Sequence, residues 1–138
     1  MILVNRNQLM ATSLASGTPP AERGPVLVVD SDPAVRRVLR LVLEGAGFRC
    51  AACEAVEDAE PFIAELRPKL VMLEVEPTGE SAAELTRRLA HGGGWRPRIA
   101  LMSAYPRPRP SFEDYFFAKP IEFDRLLEIL ESIEHEAW

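Results

Sequence analysis

Short apolar runs alternate with longer segments in which apolar residues recur every three or four positions. The runs predict buried strands over residues 26–30, 48–52, 70–73, 98–103 and 115–118. The periodic segments predict a helix from Pro33 to Gly45 or Gly47, and further helices over 56–66, 80–90 and 121–136. Alternation of this kind predicts an α/β fold, a doubly wound parallel five-stranded sheet with helices on both faces.

Two local signals refine the predicted helices. Asp32 followed by Pro33 is a typical helix start, with an N-cap acid and a proline at the first helical position. Pro61 lies inside the predicted second helix and must either kink it or occupy its first turn, because proline has no backbone N–H to donate.

Length and composition predict one domain preceded by a tail. Residues 1–24 end in SLASGTPPAERG and are expected to be flexible, whereas 25–138 are long enough for a single folded core. The run at 5–8 interrupts any signal-peptide core, and no apolar stretch approaches the roughly 18 residues that a membrane helix needs. We therefore expect a cytoplasmic protein that does not bind membranes.

Charge is unevenly distributed along the sequence. The net charge of −5 argues against a general nucleic-acid binder. From Leu85 to Phe112 there are six arginines and no acid, and from Glu113 onward there are eight acids against Lys119 and Arg125. Such segregation predicts two differently charged solvated faces, with a docking role as the alternative.

The two cysteines, Cys50 and Cys53, form a C-x-x-C pair that could indicate a redox site or half of a zinc site. If they lie on the predicted second strand, their odd spacing directs the sulfurs to opposite faces of the sheet. Two buried structural thiols are the preferred interpretation, and a small redox protein remains the competing one.

Polar residues follow four of the predicted strands. They are Asp30, Ser31 and Asp32 after the first strand, Glu74 after the third, Ser103 after the fourth and Lys119 after the fifth. Because the working sites of doubly wound sheets lie at the carboxyl ends of the strands, we expect these side chains to share one pocket.

Several ordered motifs resemble the receiver domain of bacterial two-component response regulators, over roughly residues 25 to 134. VLVVDSDPAVRRVLRLVLEGAGF is similar to the first strand and helix of that family, and RPKLVMLEVEP to its phosphoacceptor strand. RIALMSAY is similar to the switch strand, and FFAKPIEFDRLLEIL to the lysine-proline turn and last helix. The resemblance implies a flavodoxin-like (βα)5 fold and phosphorelay signal transduction, with a sensor histidine kinase or another signalling protein as partner.

The resemblance also implies residue roles. Asp30, Ser31 and Glu76 fall on a Mg²⁺ site, Glu74 on the phosphoacceptor, Ser103 on the switch hydroxyl, Tyr115 or Phe116 near the aromatic switch, and Lys119 on the lysine that pairs with the phosphoryl group. Asp32 falls on an additional acid, although helix capping is the preferred role for it.

Three departures from the family pattern bear on function. Glu74 carries one methylene more than aspartate, and a misplacement near 1 Å can slow an in-line transfer by on the order of a hundredfold. Ser31 removes a negative charge from the metal site, so any Mg²⁺ binding should be weakened. Prolines at 106, 108 and 110 leave the helix between the fourth and fifth strands missing or shortened.

We therefore expect an atypical stand-alone receiver domain that is not an enzyme and acts by protein–protein interaction, with impaired or absent phosphorylation. Glu74 would either imitate the phosphorylated state or neutralise Lys119, with a weak preference for imitation. The alternative is a functional phosphorelay acceptor that uses Glu74 or a nearby acid such as Glu76.

Overall fold

A computed structural model describes residues 22–75, 80–104 and 113–136 of the chain. It contains five strands, which are β1 Arg23–Val29, β2 Phe48–Cys53, β3 Leu70–Glu74, β4 Arg98–Ser103 and β5 Tyr115–Ala118. Its α-helices in the described ranges are α1 Pro33–Gly45, α2 Ala59–Leu66, α3 Glu80–His91 and α4 Phe123–Glu134.

The second helix is shorter than its sequence pattern predicts. Val56–Asp58 form a 3₁₀ turn, and the α-helix begins only at Ala59. Pro61 explains the difference, because its ring would collide with the carbonyl of Glu57 if α-helix continued through that residue. Pro61 therefore lies in the first turn of α2, which is one of the two positions that the sequence allows for it.

All the strand pairs are parallel, in the order β2-β1-β3-β4-β5, which confirms the predicted sheet. Alternate side chains along the strands pack into two separate hydrophobic cores, one on each face of the sheet. One core contains Leu39 of α1 and Leu130 of α4, and the other contains Ile63 of α2 and Leu85 of α3. Within the described ranges the sheet therefore has two helices on each face, as expected of a doubly wound fold.

The boundaries of the domain differ slightly from the prediction. β1 begins at Arg23, so the last two residues of the segment expected as a tail belong to the sheet. Arg23 pairs with Phe48 of β2, and its guanidinium stacks on the Phe48 ring at 4.3 Å. The first 21 residues lie outside the described part of the chain, so the predicted tail stays a prediction.

The predicted loss of the helix between β4 and β5 falls mostly on residues 105–112, which lie outside the described ranges. The flanking residues that are described, Ala104, Glu113 and Asp114, are not helical. Asp114 instead continues toward β5, where its backbone N–H donates to the carbonyl of Ile99 at 2.8 Å.

Ion pairs join α4 to the amino ends of the strands. Lys69, just before β3, lies 2.6 Å from Glu134, and Arg23 lies 2.5 Å from Glu131. Arg98, the first residue of β4, pairs with Glu136. Each of these pairs is partly exposed and contributes modestly, but together they fix the end of α4 against the edge opposite to the predicted site.

In the folded structure, most of the described arginines of the basic segment form ion pairs with acids. Arg88 pairs with Glu60 at 2.9 Å, and Arg96 pairs with Asp114 at 3.2 Å. Arg88 and Arg96 therefore balance acids that are distant in sequence, and Arg87 pairs with the nearby Glu84, which argues against a separate basic docking face among these arginines. None of the helices in the described ranges is long and apolar enough to cross a membrane.

Candidate functional site

The strand order reverses between β1 and β3, and this places a crevice at their carboxyl ends. Asp30 follows β1 directly, and Glu74 is the last residue of the neighbouring β3. Lys119 follows β5 and reaches across to both acids. The predicted convergence of Asp30, Ser31, Glu74 and Lys119 is therefore present in the structure.

Asp30 is fully buried, with no exposed surface, and both of its carboxylate oxygens accept hydrogen bonds. Oδ1 accepts from the backbone N–H of Asp32 at 2.9 Å, and Oδ2 accepts from Nζ of Lys119 at 2.7 Å. A buried carboxylate is costly unless it is paired and hydrogen-bonded, and these two donors meet that need.

Glu74 extends toward the loop that follows β1. Its Oε1 accepts from the backbone N–H of Ser31 at 2.9 Å and from the Ser31 hydroxyl at 2.8 Å, while Oε2 accepts from Nζ of Lys119 at 3.4 Å. The Glu74 side chain thus spans the crevice to Ser31. Ser31 and Glu74, the two residues at which the sequence departs from the pattern that it resembles, are therefore hydrogen-bonded to each other.

These contacts set the charge states of the pair. Burial by itself raises the pKa of Glu74, but the two hydrogen bonds from Ser31 and the charge of Lys119 outweigh it, so the pKa lies below the ordinary glutamate value. Burial likewise lowers the pKa of Lys119, yet the bonds to Asp30 and Glu74 raise it above the ordinary lysine value. Both groups are therefore charged at neutral pH.

Two further residues organise the loop after β1. Asp32 is the N-cap of α1, and its side chain accepts from the N–H of Ala34 at 2.8 Å, which confirms the capping interpretation. Arg36 donates to the backbone carbonyl of Asp30 at 2.7 Å and was missed by the sequence reasoning. A cation in the first turn of a helix, where acids are favoured, was the available signal for Arg36.

Ser103 lies at the carboxyl end of β4, almost completely buried, and its carbonyl accepts from the N–H of Lys119 at 2.8 Å. Tyr115 does not lie at the carboxyl end of the sheet with Ser103. It is the first residue of β5, pairs with Ala100, and its hydroxyl accepts from Arg98 at 2.9 Å.

Strand alternation decides which aromatic shares the face of Ser103. Tyr115 packs against the core of α1 and α4, whereas Phe116 packs against the opposite core. Leu101 of β4 pairs with Phe116 and lies two positions before Ser103, so Leu101 and Ser103 share one face. Of the two candidates for an aromatic switch, the structure therefore places Phe116, and not Tyr115, on the side of Ser103.

The cysteines lie at the two faces of β2, as their spacing predicts. Cys50 packs with the core of α1 and α4, and Cys53 packs with the other core. Both are free thiols. Burial raises the pKa of Cys50 to about 11, and burial followed by the charge of Asp58 raises the pKa of Cys53. Neither thiol has the low pKa of a redox-active cysteine.

The described residues do not fit a Mg²⁺ ion. Such an ion needs several free oxygen ligands, but the oxygens of Asp30 and Glu74 already accept hydrogen bonds from backbone, hydroxyl or ammonium donors. Across 22–75, 80–104 and 113–136 no three acids, histidines or cysteines are grouped so that they could hold a metal. Glu76, the remaining predicted metal residue, lies outside the described part.

An apolar groove of about 450 Å³ opens beside Lys119, between the start of α1 and the segment that leads into α4. It is lined by Ala34, Val35, Val38, Leu39, Lys119, Pro120, Ile121 and Phe123. Val38 is 43% exposed and Phe123 is 37% exposed, although both are large apolar side chains. Lys119 and Pro120 make the groove continuous with the charged pocket.

Comparisons with known proteins agree with the motifs. The sequence matches no family model. It is 34% identical over 64 residues to the phosphate regulon transcriptional regulatory protein PhoB of Pseudomonas aeruginosa, covering 46% of this chain and 28% of that protein. It is 36% identical over 72 residues to the DNA-binding response regulator MtrA of Mycolicibacterium smegmatis, covering 52% of this chain and 32% of that protein. The chain thus spans about a third of the length of these relatives.

Solved structures share the fold over a larger part of the chain. A CheY-like response regulator receiver domain from Methylobacillus flagellatus superposes with a TM-score of 0.71 at 20% identity, over 81% of this chain and 99% of that one. A response regulator from Thermotoga maritima gives a TM-score of 0.68 at 23% identity, over 83% of this chain and all of the other, 100%.

Proposed function

We propose that the chain is an atypical response regulator receiver domain that acts in two-component signalling, since it has the receiver fold and resembles curated response regulators over part of its length. It acts by protein–protein contact, catalyses no reaction of its own, and is impaired in or incapable of phosphorylation at Glu74. The observation that carries the proposal is the bonded set of Ser31, Glu74, Lys119 and Asp30.

This hydrogen-bonded set supports impaired phosphorylation. A phosphoacceptor carboxylate must present a free oxygen to the phosphorus in line with the leaving group. Both oxygens of Glu74 instead accept hydrogen bonds, and Oε1 is held by two donors of Ser31. The hydrogen bonds also favour pairing with Lys119 and Ser31 as the role of Glu74 over imitation of a phosphoryl group.

The apolar groove is the surface that we propose for the partner, a sensor histidine kinase or another signalling protein. Val38 and Phe123 expose apolar area there, next to the charged pocket. Exposed apolar side chains grouped in one groove are typical of protein interaction sites. The groove shares Lys119 with the pocket, so a partner bound there would contact the residue on which the pocket depends.

The experiment is a pair of substitutions, Ser31→Asp with Glu74→Asp, which restores the residue types typical of the family. Wild type and variant are incubated with acetyl phosphate and Mg²⁺, and the phosphoryl adduct is measured by intact-protein mass spectrometry. We expect no stable adduct on the wild type and an adduct on the variant, because the shorter carboxylate at 74 leaves room for the phosphoryl group and the added acid at 31 supplies a ligand for the metal.

The chain offers a matched control at an exposed Ser–Glu pair. The hydroxyl of Ser81 donates to Glu57 at 3.3 Å, so Ser81→Asp with Glu57→Asp makes the same chemical change outside the pocket. That control should acquire no adduct. A stable adduct on wild-type Glu74 or Glu76 would contradict the proposal and favour the phosphorelay acceptor instead.

The groove is tested separately with purified kinase domains from the source organism. Val38→Lys places a charge in the groove, whereas Leu41→Lys places it about one turn later on α1, where Leu41 is 64% exposed. Val38→Lys alone should weaken binding. Equal binding by both variants would remove the groove from the proposal.

A further inference from the structure

We propose that the ammonium of Lys119 is the resident cation of the pocket, and that the protein therefore keeps its charge balance there without Mg²⁺. This inference rests on the proposed function and concerns the charge balance of the same pocket. The ends of β1, β3 and β5 are then joined permanently by the protein's own side chains, and no ion is required to join them.

The position of Lys119 is the first argument. Its Nζ lies between the two carboxylates that point into the pocket, 2.7 Å from Asp30 and 3.4 Å from Glu74. A divalent cation that bound both acids would have to displace this ammonium or bear its repulsion. Two like charges a few ångströms apart repel each other, and the repulsion is several times stronger near a protein surface than in bulk water.

The second argument is the identity of residue 31. Ser31 gives Glu74 two proton donors, its backbone N–H and its hydroxyl. An acid at this position would place a second carboxylate against Glu74, and like charges at hydrogen-bond distance disfavour each other unless a cation lies between them. Serine thus removes the need for a metal at the place where glutamate reaches the loop. Ser31 supplies the hydrogen-bond donors and Glu74 the acceptor oxygen.

The third argument is the burial of Asp30. Its carboxylate has no exposed surface and depends on Lys119 for its counter-charge. Arg36 adds a second positive charge at the backbone carbonyl of Asp30, 2.7 Å away. Lys119 therefore pairs with both inward carboxylates and Arg36 adds positive charge at the adjacent backbone, so that a metal ion would bring further positive charge close to these two cations.

The consequence reaches the apolar groove, because Lys119 and Pro120 line it. Because Asp30 and Glu74 hold Lys119, the side of the groove formed by Lys119 and Pro120 keeps one conformation, and that conformation depends on neither metal nor phosphate. A partner that binds the groove should then recognise the protein equally well with Mg²⁺ present or removed.

The test is metal titration of the wild type and of Lys119→Met, with Lys69→Met as the control. Lys69 is the other lysine of the chain and forms a more exposed ion pair, with Glu134 at 2.6 Å, at the far edge of the sheet. Mn²⁺ is followed by paramagnetic broadening of the amide resonances of Ser31 and Asp32, and Mg²⁺ by the change in melting temperature.

We expect wild type and Lys69→Met to bind neither ion measurably at millimolar concentration. Lys119→Met should bind Mn²⁺ at least about tenfold more tightly, because a positive charge has been removed from the pocket. Mg²⁺ should correspondingly raise its melting temperature. If Lys119→Met does not fold, Lys119→Gln and the wild-type titration remain as tests.

Mn²⁺ binding at the pocket of the wild type, as tight as in Lys119→Met, would overturn the inference. So would a Lys119→Met protein that folds and still shows no gain in binding. Metal binding by wild type without a phosphoryl adduct would refute only this inference. An adduct on wild-type Glu74 would refute the proposed function as well.

Discussion

Lys119 should be coupled much more strongly to Asp30 than to Glu74, and two double-mutant cycles measure the difference. The first combines Lys119→Met with Asp30→Asn, and the second combines Lys119→Met with Glu74→Gln. The variants remove charge while keeping much of the side-chain volume, so each cycle isolates the pairwise interaction.

The expected magnitudes follow from distance and burial. The Asp30 pair has a contact of 2.7 Å and a carboxylate with no exposed surface, so its coupling energy should be about 2–3 kcal/mol. The Glu74 pair spans 3.4 Å, and the Glu74 side chain is 26% exposed, so its coupling should be about 0.5–1 kcal/mol.

The assay is urea unfolding at neutral pH, with the free energy of unfolding of each variant extrapolated to water. Lys119→Met alone should cost about 3 kcal/mol or more, since it leaves Asp30 buried without a counter-charge. Equal couplings in the two cycles, or a larger coupling to Glu74, would refute the assignment of Lys119 as chiefly the partner of the buried acid.

Three other predictions concern the pH dependence, the core and the thiols. Because the pKa of Glu74 is lowered in the folded protein, its contribution is present above the unfolded value of 4.5 and is lost as the pH falls through the folded value. The difference in unfolding free energy between wild type and Glu74→Gln should therefore shrink in acid, and a constant difference would contradict this. Leu130→Ala should cost about 2–5 kcal/mol in urea unfolding, because Leu130 is buried. Leu41→Ala, at an exposed site on α1, should change stability by less than about 0.5 kcal/mol; similar costs would contradict the packing. Cys50 and Cys53 should react slowly with a thiol reagent at neutral pH and quickly after unfolding, whereas rapid labelling of native Cys50 would contradict its burial.

Much of the fold could be predicted because strands that are buried on both faces appear in the sequence as short continuous apolar runs. Leu70–Glu74 and Arg98–Ser103 read as short apolar runs, and the observed strands begin where those runs begin. β1 was harder, because Arg23 and Gly24 carry no strand signal. Arg23 joins the sheet through contacts with Phe48 and Glu131, which are distant in sequence.

The members of the pocket could be predicted, but their bonding could not. Asp30, Glu74 and Lys119 lie at the carboxyl ends of parallel strands, so the backbone alone places them at one edge of the sheet, independently of side-chain conformation. The hydrogen bond from Ser31 to Glu74 depends on side-chain length and direction, which a sequence pattern does not encode. Tyr115 failed as a pocket residue for a related reason, because a shift of one position on a strand changes the face.

The most direct test of the account is site-resolved mass spectrometry of the wild-type protein after incubation with acetyl phosphate and Mg²⁺. We expect the peptide containing Glu74 to carry no phosphoryl group, because hydrogen bonds from Ser31 and Lys119 already hold both of its carboxylate oxygens. A stable, Mg²⁺-dependent acyl phosphate on Glu74 would contradict the account.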